Sequence, residues 1–391
     1  MSLKALNIDE VRALARRRLP RGMFEFIDRG AEDEMGLKAT RRALDDVKLL
    51  PKILVDVSER RQDTELLGAR QPSPLVVAPT GLAGLMWHQG EVELARAAAK
   101  AGVPFCVSTH SITSIEEIAK KAGGRLWFQL YVVKDRAITE TFIDRARDAG
   151  ADTLMLTVDT IVGPKREYNV RNGFGIPMKP SLRGFLDLAT HPLWTMRVMA
   201  PYLLADGVPT YAHYPPQFRR KITREAMNDA LKLADDITWD EVAALRRRWK
   251  GNLVIKGILR PQDARRAVAC GADAIVVSNH GARNLDSAIP PAQILPAIAD
   301  AVGGELTVMA DGGVRRGSDV VKLLSLGARS VLVGRSVLFG TAVAGETGAT
   351  HVLDILRDEI DRIMAYIGCT RIEDLGPDYV RAISRSEVPE R

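Results

Sequence analysis

Ala274-Ile-Val-Val-Ser-Asn-His-Gly-Ala-Arg-Asn-Leu-Asp286 holds one unit of a pattern that recurs along this chain. The β-branched run Ala274–Val277 reads as a buried strand, and the polar turn beyond it leads into a helical pattern over Pro290–Ala301. Just past the strand end, His280 and Arg283 stand three residues apart. That spacing lets a proton acceptor and an anion clamp face one small pocket. Alone, the stretch also reads as a strand end with a polar turn, so any chemistry needs partners from other segments.

The same unit recurs. Apolar runs at Leu75–Ala78, Pro104–Val107, Leu126–Leu130, Thr153–Val158, Leu253–Ile255, Ala274–Val277, Leu306–Met309 and Ser330–Val333 alternate with helical segments. The segments include Glu91–Ala101, Ser114–Lys121, Ala137–Ala149, Pro261–Cys270, Pro290–Ala301 and Ser318–Leu326. Gly102, Gly150, Gly271 and Gly327 stand where helices should end. Eight strand–helix units predict an α/β (β/α)8 TIM barrel, and a doubly wound open sheet is the alternative. Residues 1–70 read as a charged helical extension, with Asn7 or Asp9 capping a helix through Arg18 and a second helix, Met23–Asp28, stopped at Gly30. About 100 residues separate the fourth and fifth runs, which places a long insertion after strand 4. The whole of 1–391 is expected to form a single domain, with 177–224 as the inserted segment.

Composition bounds the function. Hydrophobic content of 46% with 27% charged residues describes a chain with a full core. Aromatic residues at 5% argue against a nucleic-acid stacking surface. Cys106, Cys270 and Cys369 are isolated, so neither a disulfide framework nor a zinc site is expected, and no metal site is. The first ten residues lack the apolar core of a signal peptide, and no run reaches the roughly 18–20 apolar residues that span a bilayer. A cytoplasmic protein, or one peripheral on the inner face of the cell membrane, is the expectation.

Barrel chemistry sits at the C-terminal strand ends. Those ends carry Pro79-Thr80-Gly81, Ser108, Gln129 with Tyr131, Thr157 with Asp159, Lys256, Ser278-Asn279-His280, Asp311-Gly312-Gly313 and Gly334-Arg335. The glycines of the last two, with Arg315 and Arg335, suit a phosphate, since backbone N–H groups approach closely and arginine adds bidentate bonds. Ser108, Gln129 and Thr157 suit a planar heteroatom-rich ring, and Lys256 suits a ring that becomes anionic on reduction. Flavin mononucleotide fits all three demands; a salt bridge from Lys256 to a carboxylate such as Asp311 is the structural alternative.

Ser278–Asp286, Asp311-Gly-Gly-Val-Arg-Arg-Gly317, Phe128-Gln-Leu-Tyr131 and Thr157-Val-Asp159 resemble the FMN-dependent 2-hydroxyacid dehydrogenases and oxidases. The likeness runs from about Leu19 to Tyr379. Gly30-Ala-Glu-Asp-Glu34, Ala78-Pro-Thr-Gly-Leu82, His191-Pro-Leu-Trp194 and Gly345-Glu-Thr-Gly348 bring it nearest to the membrane-associated mandelate-dehydrogenase branch. The resemblance implies His280 as the base, Asp159 as the holder of its imidazolium, and Tyr131 as partner of the substrate hydroxyl. It gives Arg283 and Arg166 the substrate carboxylate, with Phe26 and Gly81 beside the substrate. Lys256 would stabilise reduced flavin. Pro79, Thr80, Ser108, Gln129, Thr157 and Ser278 would contact its ring or ribityl chain, and Asp311, Gly313, Arg315, Gly334 and Arg335 its ribityl and phosphate end. The implied reaction takes an (S)-2-hydroxyacid, mandelate-like or lactate-like, to the 2-oxoacid and passes electrons to a membrane quinone. An oxidase releasing hydrogen peroxide is the alternative, and a non-redox isomerase or lyase acting on a phosphorylated substrate is the remote one. A homotetramer is a further implication.

Two positions depart from the family. Relatives usually carry a tyrosine at Phe26, whose hydroxyl helps to hold the carboxylate, and Gly81 is often alanine in the oxidases. The insertion, 177–224, holds seven Lys/Arg (Lys179, Arg183, Arg197, Arg219, Arg220, Lys221, Arg224) against Asp187 and Asp206, so +5 of the chain's +6 lies there. Mixed with Phe185, Leu186, Leu193, Trp194, Met196, Leu203 and Leu204, these cations suit an anionic membrane surface, and a soluble lid over the site is the alternative.

Overall fold

Eight parallel strands close into a barrel in the computed structural model, which describes residues 4–174, 182–205, 207–219, 221–223 and 229–382. The strands are β1 (Leu75–Val77), β2 (Phe105–Ser108), β3 (Leu126–Leu130), β4 (Thr153–Thr157), β5 (Asn252–Ile258), β6 (Ala274–Val277), β7 (Thr307–Ala310) and β8 (Ser330–Val333). Each pairs with the next, and β8 pairs with β1, which rules out an open doubly wound sheet. All eight predicted runs form strands. Between them run helices Gly90–Ala101, Ile115–Ala122, Arg136–Asp148, Pro261–Ala269, Pro291–Val302 and Gly317–Ser325. Gly102, Gly150, Gly271 and Gly327 take positive φ at the predicted helix ends.

The period-2 alternation of a strand sorts each run into two faces. One face packs outward on the helices, as Val77, Phe105, Phe128, Leu154, Ile255, Ile275 and Val331 do. The other fills the barrel with Val76, Cys106, Trp127, Met155, Val254, Val276, Met309 and Leu332. Two residues further along each strand, the next inward positions are Ala78, Ser108, Gln129, Thr157, Lys256, Ser278, Asp311 and Gly334. The interior is therefore apolar below and changes to a mostly polar crown at the C-terminal mouth. Its other end is closed by Leu66, fully buried with the interior set and carried on the hairpin Thr64–Leu66/Ala69–Gln71.

That hairpin corrects the expectation of helix throughout 1–70. Helices Ile8–Arg18, Arg21–Asp28 and Met35–Asp46 form, the first capped by Asn7 and the second ending at Arg29 rather than Gly30. Beyond them Val47–Leu49 pairs antiparallel with Val380–Ala382. The third helix is held from outside its own sequence: Asp286 accepts from Met35 N at 3.0 Å and Gly36 N at 2.8 Å. The extension is thereby docked onto the loop after β6. Helix Arg335–Tyr366 follows β8, breaks its helical geometry at Ala344–Gly345, and packs on the first helix.

Within the insertion, helix Leu182–Ala189 is followed by a near-continuous helical run from Pro192 to Ala205. Trp194 and Val198 face the protein, and Trp194 Nε1 donates to Leu85 O at 2.9 Å. Leu193, Met196, Leu203 and Leu204 are exposed on the other side. Lys179, Arg220, Arg224 and Asp206, and the side chains of Arg183 and Phe185, lie outside the described residues. No helix among the described residues is long and apolar enough to cross a membrane.

Leu66→Ala should open a void under the barrel and lower unfolding stability by about 2–5 kcal/mol in chemical denaturation. A change within about 0.5 kcal/mol would mean that the hairpin does not plug the barrel.

Candidate active site

The polar crown opens into a cavity of about 1080 Å³, lined among others by Phe26, Tyr131, Arg166, Lys256, His280, Arg283, Asp311, Arg315 and Arg335. Residues from the extension, from all eight strand ends and from the insertion meet there. That volume exceeds what one small ligand needs and suits a cofactor with substrate beside it.

His280 stands on a left-handed turn, with φ of 57° at His280, 62° at Gly281 and 57° at Ala282. A side chain at Gly281 would run into Arg335, since an added Cβ would lie 2.6 Å from Arg335 Nη1. His280 N donates to Ser278 Oγ at 3.0 Å, and Nδ1 donates to Asp159 Oδ1 at 2.8 Å. Asp159 would be pushed up by burial, but the charges of His280 and Lys256 outweigh this and hold it down at about 2. Burial in turn lowers His280, with Asp159 opposing only in part. The pair therefore sits as an ionised carboxylate beside a neutral imidazole, and an ionised carboxylate only accepts, so the proton lies on Nδ1. Nε2 is left with its lone pair unprotonated.

Two residues the sequence reading missed complete this arrangement. Asn284 Nδ2 donates to Asp159 O at 2.9 Å and to Thr160 Oγ1 at 2.7 Å. Thr160 Oγ1 donates to Asp159 Oδ1 at 3.1 Å and also bonds the Tyr131 side chain. Burial, then the charge of Asp159, raises Tyr131, keeping its hydroxyl protonated. Gly257 (φ 109°) lies at a break in the β5–β6 register, and an added Cβ there would stand 2.7 Å from Asp159 Cβ. The bulge makes room for Asp159 beside Lys256.

Lys256 Nζ donates to Ser278 Oγ at 2.8 Å and pairs with Asp311 Oδ2 at 3.2 Å. Burial opposes its charge, yet Asp311 and Asp159 prevail and raise it, so it is an ammonium in the barrel mouth. The ion pair considered as an alternative for Lys256 exists, and the side chain still lines the cavity.

The arginines differ. Arg335 donates to Ile27 O, Arg29 O and Gly281 O; Arg283 donates to Arg29 O; Arg166 donates to Arg283 O. Arg315 makes longer contacts to Val314 O and Ser336 Oγ. Among the described residues no carboxylate forms a salt bridge with any of the four, whereas Lys256 in the same cavity pairs with Asp311. Burial and then the charge of Arg283 push Arg166 and Arg335 down to about 9. Arg283 also lies over the Phe26 ring, 5.3 Å from its centre, where a tyrosine would offer a hydroxyl. Gly81 has ordinary contact space for a methyl, with an added Cβ 3.4 Å from His110 Cβ.

The donor set fits FMN. Thr80 Oγ1, Gln129 Nε2, Thr157 Oγ1 and Asp311 Oδ1 are buried with no hydrogen-bond partner among the described residues. A buried polar atom without a partner costs about 1–3 kcal/mol, so four around one cavity call for a polar ligand. Pro79, Ser108 and Ser278 lie with them on the crown, Gly313 lines the same cavity, and Gly334 and Arg335 open helix Arg335–Tyr366, whose first N–H groups would suit a phosphate. Ser336, unremarked in the sequence, lines the same end.

Residues 15–382 match the family described as FMN-dependent dehydrogenase. The chain is 41% identical over 381 residues to (S)-mandelate dehydrogenase of Pseudomonas putida, covering 97% of this chain and 95% of that one. It is 41% identical to L-lactate dehydrogenase of Pectobacterium atrosepticum over 97% of each. A solved structure described as the monotopic membrane protein (S)-mandelate dehydrogenase superposes with a TM-score of 0.91 at 41% identity, covering 97% of this chain and 100% of that one. Sequence, barrel and cavity agree, and the chain belongs to the FMN-dependent dehydrogenase family.

Proposed function

We propose that this chain, acting as one catalytic domain, oxidises an (S)-2-hydroxyacid of the mandelate or lactate type to the 2-oxoacid. A membrane quinone is its electron acceptor, and it works from the inner face of the cell membrane. The homotetramer implied by the resemblance belongs to the same reading. The observation that carries it is the set of cavity arginines without carboxylates around a neutral His280 paired with Asp159 at 2.8 Å.

Arg283 and Arg166 clamp the substrate carboxylate, and desolvation in the cavity strengthens both bonds. Tyr131 meets the substrate hydroxyl, so the carbon between them is fixed relative to Nε2 of His280. Nε2 takes a substrate proton, and Asp159 stabilises the imidazolium that results. FMN, when bound, supplies the electron sink. Lys256, held by Asp311 and Ser278, places positive charge beside that sink. The exposed apolar side of Pro192–Ala205, with Arg197 and Lys221, supports attachment to an anionic bilayer. Attachment in turn favours a quinone over oxygen.

Anaerobic addition of aliphatic and aromatic 2-hydroxyacids should bleach the flavin absorbance, with quinone-analogue reduction outpacing oxygen uptake; stoichiometric hydrogen peroxide would assign the oxidase reaction instead. His280→Ala should keep its flavin and lose turnover by about 100- to 10,000-fold. Near-normal turnover would remove the base assignment.

Because burial lowers His280, the neutral base persists as pH falls, and kcat/KM should decline only below about pH 6.5. Asp159→Asn removes a charge that raises His280, so the rate should drop and the acid limb move further down. An upward move would contradict the pairing. Phe26→Tyr should lower KM several-fold with little change in kcat, as expected for uniform binding. An unchanged KM would mean that this wall does not reach the carboxylate.

A further inference from the structure

Helix Met35–Asp46 contributes no residue to the cavity lining, yet it holds two of the loops that form the wall. On one side, Arg41 Nη1 donates to Gly313 O at 2.7 Å and to Asp319 Oδ2 at 2.6 Å. Arg41 Nη2 reaches the other oxygen of Asp319 at 2.6 Å. Asp319 is 1% exposed, and its Oδ2 also accepts from Arg315 N at 2.8 Å and Arg316 N at 3.0 Å. Arg41 and Asp319 thus fix the run Gly313–Arg316 from behind. The loop glycine permits this approach, since an added Cβ at Gly313 would stand 3.1 Å from Leu44 Cδ1 and 3.2 Å from Thr40 Cγ2.

On the other side, Thr40 Oγ1 accepts from Asn279 Nδ2 at 2.8 Å, and both residues are buried. Asn279 Oδ1 in turn accepts from Ala282 N at 3.3 Å, which closes the left-handed turn that bears His280. Two adjacent residues of one helix therefore hold different loops. Arg41 serves the loop of Gly313 and Arg315, and Thr40 serves the turn of His280.

The two holds differ in kind. Burial opposes the charge of Arg41, yet Asp319 and then Asp45 prevail and raise it, so carboxylates already answer this cation. Arg41 is thereby a brace and not a phosphate ligand, unlike Arg315, which has no carboxylate partner among the described residues. Without its guanidinium, Asp319 would lose its cation while still gripping the backbone of Arg315. Thr40 is neutral, and its loss would leave the buried Asn279 amide without an acceptor. We infer that both are positioning residues: Arg41 sets how firmly the Gly313–Arg315 loop holds the FMN phosphate, and Thr40 sets where His280 stands. Both roles rest on FMN in this cavity, and the second also on His280 as the base.

Holoenzyme variants are diluted and filtered, and the flavin that escapes is measured beside turnover with and without added FMN. Arg41→Gln should weaken FMN binding about ten-fold, and added FMN should recover much of its turnover. Thr40→Val keeps the shape and loses the acceptor. It should hold FMN like the parent and lose about ten-fold in kcat, with no recovery on adding FMN. Thr40→Ser returns the hydroxyl and should return kcat with it. Parent-like FMN release from Arg41→Gln overturns the first role, and parent-like kcat in Thr40→Val overturns the second. If each variant loses flavin and turnover alike, the helix only supports the fold and the division falls. Parent-like turnover in His280→Ala would instead defeat the base reading and with it the Thr40 role, while the Arg41 role would stand.

Discussion

Neutral oxygens hold most of the positive charge in the barrel mouth. Arg335 is fixed by three backbone carbonyls, Arg283 by Arg29 O, and Arg166 by Arg283 O. A carbonyl sets the direction of a guanidinium through its dipole but does not cancel its charge, whereas a carboxylate does both. The cavity therefore keeps cationic walls whose desolvation is repaid by anions from solution. Lys256 is the contrast, paired with Asp311 at 3.2 Å and oriented by Ser278. This division explains the extension. Ile27 O and Arg29 O come from the N-terminal segment, so the arginines depend on its docking, and Asp286 secures that docking at the start of helix Met35–Asp46.

The crown was legible because a strand alternates strictly. Once Cys106, Trp127, Met155, Val254 and Val276 point inward, Ser108, Gln129, Thr157, Lys256 and Ser278 must point inward as well, at the end where the strands stop. Polar residues at the ends of apolar runs were visible in the sequence, and the fold turns them into one surface. His280 and Asp159 were visible in the same way, each just past a strand.

Other parts depend on contacts that no local pattern encodes. Thr160 and Asn284 read as ordinary loop residues until the loops after β4 and β6 face one another and the two side chains bond across the gap. Leu66 reads as one leucine in a charged segment, and only barrel closure makes it a plug. Helix Met35–Asp46 takes its cap from Asp286, about 250 residues away. Helix Trp239–Arg248 is different, since its capping box, Thr238 with Glu241, was present in the sequence. It was hidden by the length of the loop around it.

The insertion shows why a choice between membrane anchor and lid was posed too sharply. Trp194 and Val198 bind Pro192–Ala205 to the barrel, so the opposite side, with Leu193, Met196, Leu203 and Leu204, cannot also turn inward. Further along the same loop, Tyr211 and Tyr214 are buried and line the active cavity. One segment thus builds part of the cavity wall and presents an apolar face outward. A lid that simply opened and closed would have to break the Trp194 bond and expose two buried tyrosines with each turnover. The geometry is that of a wall held by Trp194 at one point and by two buried tyrosines at another.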